Sequence, residues 1–439
     1  MRNMVSLFHT KQLIPHFRLI GILFFGMVCL PSYLFAQKGD LKKAQQLFKE
    51  KKYALAIPLY QKALAEKDNM SVASKLAYCY RMNNKTAEAE QLYAEIIQNE
   101  RAKEINFFYY AEALMSNGKY DTAKNWFKQY LKLNPDDQTA KKYLAACDII
   151  PTIPPYFDNV LIKSFSQNSD VDDNAPVFWQ NGIVFTSDRK GKMKFLDEKS
   201  GWTGRDYLRL YYSEQQNDST YATAEAFVPK LNVARKNTGM ASFNAKGTEL
   251  YFSKNGNHLD KHDAYCLQLY VSKSKDGKRW KGANALDFCN KEHNYMHPAI
   301  SPDGKALYFV SDRPKGKGGT DIYVSKKTKR GWSRPQNLGP TINTEGNEGF
   351  PFMHPDGKLY FCSKGHPGLG GFDIFVTQQD SVGNWTVPVN LGTPINSPSD
   401  DISISINKAA TKGLFTSSRD GGDDDIYLIQ FPPKAVIIE

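Results

Sequence analysis

Two different rhythms of apolar and polar positions divide the chain. Across residues 39–148, small and aromatic residues return every 33 or 34 positions. "KKYALAIPLYQKAL" (51–64), "NKTAEAEQLYAEII" (84–97) and "GKYDTAKNWFKQYL" (118–131) align Ala56, Ala89 and Ala123, with Tyr60, Tyr93 and Phe127 in step. A further helical run precedes each unit, as in "SVASKLAYCYRM" and "INFFYYAEALMS". The spacing predicts three helix–turn–helix units whose alanines let paired helices cross closely. Pro135 in "LNPDD" breaks the third unit, and "QTAKKYLAACDII" reads as a capping helix.

After the Pro-rich stretch "IIPTIPPYFD" (149–158) the rhythm becomes that of strands. "SPDGKALYFVSD" (301–312) and "HPDGKLYFCSK" (354–364) are the clearest of five copies, with "NAKGTELYFSK", "WQNGIVFTSD" and "NKAATKGLFTSS" as the others. Their central aromatics are Phe185, Phe252, Phe309, Phe361 and Phe415. A second strand follows each, carrying Tyr211, Tyr270, Tyr323, Phe375 and Tyr427. "SPDG" is turn chemistry: Pro fixes one torsion, Asp bonds its own backbone and Gly takes the left-handed position. "ALYFV" has large residues on both faces, whereas an antiparallel sheet normally keeps one face polar. Sheets apolar on both sides must lean on each other. Short strands repeating at intervals of 59, 53, 52 and 52 residues predict propeller blades. Five blades are expected, or six if the long first unit with "KGKMKFLDEKSGWTGRDY" conceals one. Asn159 to Phe165 has no partner of its own, so the ring is expected to close by lending that strand to the last blade.

Composition adds compartment. No acid precedes Asp40, Arg2, Lys11 and Arg18 are basic, and "LIGILFFGMVCL" (19–30) is apolar. This reads as a signal peptide cleaved after Ala36. Its twelve to sixteen apolar residues fall short of the ~20 that a spanning helix needs. Removing residues 1–36 takes away three basic residues and lowers the chain's net charge of +11 to +8, read as a solvated, lysine-biased surface. No basic run alternates with aromatics as nucleic-acid binding requires. The expected organisation is signal peptide 1–36, helical repeats 37–148, linker 149–158, propeller 159–431 and tail 432–439. Cys266 and Cys289 lie evenly about "DGK" (276–278), so a cross-strand disulfide is a candidate in an oxidising compartment.

The 34-residue helical unit resembles the tetratricopeptide family. "SPDGKALYFVSDR", "GGTDIYVS", the tryptophan strand and "NLG…IN" resemble the Pro-Asp-type, WD40-like repeat of TolB-type propellers. The order of signal, helical array and propeller is similar to periplasmic proteins of gliding and secreting bacteria, including a scaffold component of type IX secretion. That resemblance implies a periplasmic adaptor associated with the outer membrane, whose partners are envelope proteins of the secretion or gliding machinery. Its relatives continue into an OmpA-like, peptidoglycan-gripping domain. Only twelve residues follow Tyr427, so direct peptidoglycan contact is not expected. The tetratricopeptide resemblance places the first helix of each unit along a groove. The partner-binding candidates there are Phe48, Lys49, Tyr78, Arg81, Met82, Phe108, Glu112 and Met115. The alternative for these residues is packing against neighbouring helices or the next domain.

No Gly-x-Ser-x-Gly motif occurs. Asp170, Asp172, Asp173, Glu345, Glu348, Asp400 and Asp401 recur at equivalent places before first strands, as turn-capping acids do. "HLDKH" and "HNYMH" offer His258, Asp260, His262, His293 and His297, but in loops, where spacing fixes nothing. The expectation is therefore no enzyme, no cofactor and no metal, with a carbohydrate-active or ligand-sensing propeller as the alternative.

Overall fold

A computed structural model of the protein describes residues 39–190, 199–259 and 265–432. The signal-peptide reading lies outside the described residues.

The helical part begins with α1 (39–49) and α2 (Tyr53–Glu66). Then follow α3 (Met70–Met82), α4 (Thr86–Ile96), α5 (Ile105–Ser116), α6 (Tyr120–Leu133) and the cap α7 (Gln138–Ile149). Ala56, Ala89 and Ala123 are buried at the crossings, with Tyr60, Tyr93 and Phe127 fully buried beside them. Each turn inside a unit carries one residue in the left-handed region, Lys51, Asn84 and Gly118 in turn. Asn69 caps α3 by accepting from the Ser71 and Val72 amides at 3.0 and 3.3 Å.

The remainder is a five-bladed propeller. Strand β1 (Leu161–Ser164) belongs to the last blade. Blade one is β2 (Asp173–Trp179), β3 (Gly182–Ser187), β4 (Arg209–Glu214) and β5 (Glu225–Ala226). Blade two is β6 (Thr238–Phe243), β7 (Glu249–Leu259), β8 (Tyr265–Lys273) and β9 (Asn284–Ala285). Blade three is β10 (Tyr295–Ile300), β11 (Ala306–Ser311) and β12 (Asp321–Thr328), edged by β13 (Gly331–Trp332) and β14 (Gln336–Asn337). Blade four is β15 (Glu348–Met353), β16 (Lys358–Ser363), β17 (Asp373–Gln378) and β18 (Val389–Asn390). Blade five is β19 (Asp401–Ile406), β20 (Lys412–Ser417) and β21 (Asp425–Gln430), with β1 as its outer edge. The first strands touch in the cycle β2, β6, β10, β15, β19 and back to β2.

Closure runs through register. Leu161, Ile162, Lys163 and Ser164 pair with Gln430, Ile429, Leu428 and Tyr427. The next residue, Phe165, is 2% exposed and packs on Phe185 and Tyr221 of blade one. One short segment therefore completes the last sheet and plugs the first.

Every first strand carries a bulge at the same place. There Ala175, Met240, His297, Phe350 and Ser403 adopt φ between +48° and +57°. The amides of Ala175, Met240 and His297 donate to Thr416, Thr186 and Ser253 on the second strand of the preceding blade. In blade three that place is Val310, which cannot accept. The Phe350 amide turns instead to His297 Nδ1 at 3.2 Å. An accepting Nδ1 keeps the imidazole neutral, and burial pushes its pKa down to about 3.

Candidate functional site

The helical array contacts the ring through its turns and its capping helix. Its turns face loops of blades one, four and five, and α7 contributes Tyr143, whose Oη donates to the Lys364 carbonyl at 2.8 Å. Lys142 pairs with Glu345 beside it. Tyr156 of the linker donates its amide to Leu391, fastening residues 149–158 to blade four. The long loop between β3 and β4 makes the other attachment. The Trp202 carbonyl accepts the Ala54 amide at 3.1 Å, and its Nε1 donates to the Met82 carbonyl at 3.3 Å. Trp202 thus satisfies a donor at the start of α2 and an acceptor at the end of α3, both of which helix ends leave open. Its ring meets Tyr53 edge-on at 5.0 Å. The long first unit forms no sixth blade among the described residues; it builds this clasp.

Arg205 from the same loop lies between Asp172 (2.7 Å) and Asp423 (2.5 Å), joining blades one and five. Beside it a cavity of about 380 Å³ separates the modules, lined by Asn84, Thr86, Asn117, Ser418 and Gly422 among others. Trp202→Ala removes the indole hydrogen bond to Met82 and the aromatic contact with Tyr53 but keeps the backbone bond to Ala54, an expected loss of about 2 kcal/mol between the modules. The variant should show faster cleavage within residues 149–158 and an earlier helical transition in a thermal melt, with the ring transition unchanged.

On the groove side, the sequence-derived residues divide. Phe48 is half-buried against Tyr53 (5.6 Å) and Tyr78 (5.5 Å). Arg81 lies 4.3 Å from the Tyr109 ring centroid and 5.6 Å from that of Tyr78. Its Nε donates to Glu112 at 2.6 Å. Burial works against the guanidinium's charge, yet the Glu112 carboxylate outweighs it and holds the proton more tightly than usual. Lys49 is exposed, and Met82 contributes its carbonyl to Trp202. Phe108 and Met115 are 8% and 1% exposed and sit in the core around Phe127 and Tyr130. Tyr109 and Trp202 extend the aromatic surface, with Tyr53 buried beneath it, and all three were missed. Tyr53 was visible in the repeat but stands on a second helix, Tyr109 was hidden beside Phe108, and Trp202 lies outside any repeat.

The acids before the first strands are engaged in holding the ring together. Asp173 and Asp401, both fully buried, pair with Arg189 (2.6 Å) and Arg419 (2.7 Å). Glu348 accepts from Thr344 and Ser363 at 2.6 and 2.7 Å. Asp188 is buried beside Asp172, and burial pushes its carboxyl up to about 7. The ring axis narrows to a void of about 50 Å³ between the bulge residues.

No disulfide joins Cys266 and Cys289. The β8–β9 ladder pairs Tyr270 with Ala285, but the chain then leaves it and turns, the Cys289 amide donating to Leu286. Cys289 packs with the core of blade three, where burial pushes its thiol up to about 12. His258 is exposed, His293 gives its carbonyl to Gln268, and His297 stacks on Phe350 in the axis. Asp260 and His262 lie outside the described residues. Among those described, no group of three or more His, Cys, Asp and Glu converges on a metal position.

The tetratricopeptide repeat family matches residues 47–106 and 106–147. No curated protein matches the chain. Among solved structures, the second tetratricopeptide domain of human RPAP3, in complex with an HSP70 peptide, is similar at 26% identity. It covers 25% of this chain and 92% of its own, with a TM-score of 0.23. The α-L-arabinofuranosidase PaAbf62A of Podospora anserina, at 10% identity, covers 62% of this chain and 95% of its own, with a TM-score of 0.39. A thermostable family-43 glycoside hydrolase, at 12% identity, covers 60% and 91%, with a TM-score of 0.37. These propellers overturn the expectation that the chain is no enzyme, because rings similar to it include glycoside hydrolases. The likeness is one of fold and carries no reaction across to these residues.

Proposed function

We propose that the protein is a scaffold of the bacterial cell envelope, exported through its N-terminal signal, that binds partner proteins along the helical array. The ring is the rigid base on which the array is held. The observation that carries this reading is the aromatic surface of Phe48, Tyr78 and Tyr109 around the Arg81–Glu112 pair, on a module that matches a repeat family. Aromatic and Arg side chains held rigidly are the usual anchors of protein interfaces. The similarity of module order to periplasmic proteins of type IX secretion and gliding supports placing the partners in that machinery. The outer membrane is the expected neighbourhood.

Pull-down from envelope extract tests it. The double variant Tyr78→Ala, Lys49→Glu should lose co-purifying envelope proteins by about tenfold, a loss of ~1.4 kcal/mol, while its circular dichroism is unchanged. Equal recovery by the variant would remove the groove from the proposal. Periplasmic fractions should yield a chain beginning at Gln37. Intact secretion and gliding in a deletion strain would remove the finer assignment.

A further inference from the structure

The chain's positive charge is gathered in one place. Residues 265–340 hold fifteen Lys and Arg against six Asp and Glu, a net +9 of the chain's +11. In the structure much of this charge lies on the outer hairpins of two neighbouring blades. Lys275, Lys278 and Lys281 follow β8 of blade two, and Lys329, Arg330 and Arg334 follow β12 of blade three; all six are exposed. Among the described residues Lys275, Lys278, Lys281, Lys329, Arg330 and Arg334 make no ion pair with an acid from another hairpin.

The two hairpins form one surface. Glu249 reaches Lys273 at 2.8 Å and Lys327 at 3.9 Å, and the Trp332 ring lies 6.0 Å from that of Tyr251. That surface points away from the helical array. Thr320, just before β12, bonds the Glu348 carbonyl on the side where the array sits, and β12 then runs eight residues to Thr328. At about 3.3 Å per residue, this puts the hairpin roughly 25 Å distant. The other outer edges differ. Blade one's carries Glu214, Asp218 and Glu225, and residues 381–391 of blade four carry no charge.

The chemistry of the face selects its counterpart. Lys predominates, on long stems that present point charges rather than bidentate forks. Trp280 is 4% exposed and Trp332 is half-buried against Tyr251, so the two hairpins offer no row of open rings for stacking successive bases. The charges crown two protruding turns instead of lining a groove that would track a strand. Dispersed cations on exposed turns suit a plane of negative charge. We propose that this face of blades two and three docks on anionic phospholipid headgroups, holding the helical array away from the membrane surface. The proposal is independent of what the array binds.

Sedimentation of the full chain with vesicles tests it. Binding is expected to vesicles of phosphatidylglycerol mixed with phosphatidylcholine and not to phosphatidylcholine alone. High salt should weaken it by at least about tenfold. The variant Lys278→Glu, Lys281→Glu, Arg330→Glu, Arg334→Glu should lose binding. A control of equal charge change on the array, Lys42→Glu, Lys43→Glu, Lys128→Glu, Lys141→Glu, should keep it. Circular dichroism checks that both remain folded. Equal loss in the two variants, retention in the first, or a stronger preference for duplex DNA than for the vesicles would overturn the proposal.

Discussion

Phe165→Ala is expected to destabilise the ring by about 3–5 kcal/mol. The residue is small in the sequence account and large in the energetic one. Its side chain is 2% exposed and fills a space walled by Ile183, Phe185, Tyr211, Leu414 and Ile426, so the first and last blades both contribute. Its amide donates to the Ile426 carbonyl at 2.9 Å. Truncation opens a cavity where blades five and one meet, beside the strand pairing of β1 with β21 that closes the ring. Denaturant unfolding measures it. Leu161→Ala provides the control, since Leu161 lies on the same closing segment but is 59% exposed; it should cost under about 0.5 kcal/mol. Similar losses in the two variants would mean that the segment contributes only local strand pairing.

The second large effect is expected at Arg419. Its Nη2 donates to Asp401 at 2.7 Å, its Nη1 to the Pro394 carbonyl at 2.8 Å and its Nε to Ser417 at 2.8 Å. The guanidinium lies 5.0 Å from the Phe415 centroid. Asp401 is fully buried, so Arg419→Met leaves a carboxylate without its partner, an expected loss of about 3–5 kcal/mol near neutral pH. The loss has a definite pH signature. Burial already holds the Asp401 carboxyl above the ordinary carboxylate range, against the pull of Arg419. Without the cation it rises further, and the folded state then binds the proton more tightly than the unfolded chain. Stability of the variant is therefore greatest in acid and falls as pH rises from about 4 through the folded-state value. The gap from the parent should be smaller at the acid end than at neutrality. Adding Asp401→Asn should recover part of it. A deficit independent of pH would place the cost in lost packing over Phe415.

Much of the architecture was legible because it repeats. Ala56, Ala89 and Ala123 mark helix crossings by being small, and the five central phenylalanines mark sheets by being large on an unexpected face. The closing strand was legible by default, since Asn159 to Phe165 lacked a partner and blade five lacked an edge. What repetition cannot encode stayed hidden. Trp202 lies in the longest insertion, so the clasp had no copy to betray it. The bulge residues Ala175, Met240, His297, Phe350 and Ser403 share a backbone conformation but no side-chain chemistry. Phe108 and Met115 have the composition of anchors, and only packing distinguishes an anchor from a core residue. The even spacing of Cys266 and Cys289 about a turn assumed a ladder that ends at Ala285. The basic face was countable all along. Reading the surplus over the whole chain concealed its concentration in two blades.

Closure can be tested in the covalent structure itself. Lys163 and Leu428 are directly paired across β1 and β21, a relationship that suits a disulfide. The double variant Lys163→Cys, Leu428→Cys, oxidised as a dilute full chain, should form a cross-link within one molecule that raises the midpoint of unfolding. Failure to cross-link, or cross-links only between molecules, would contradict a ring fastened by its own first strand.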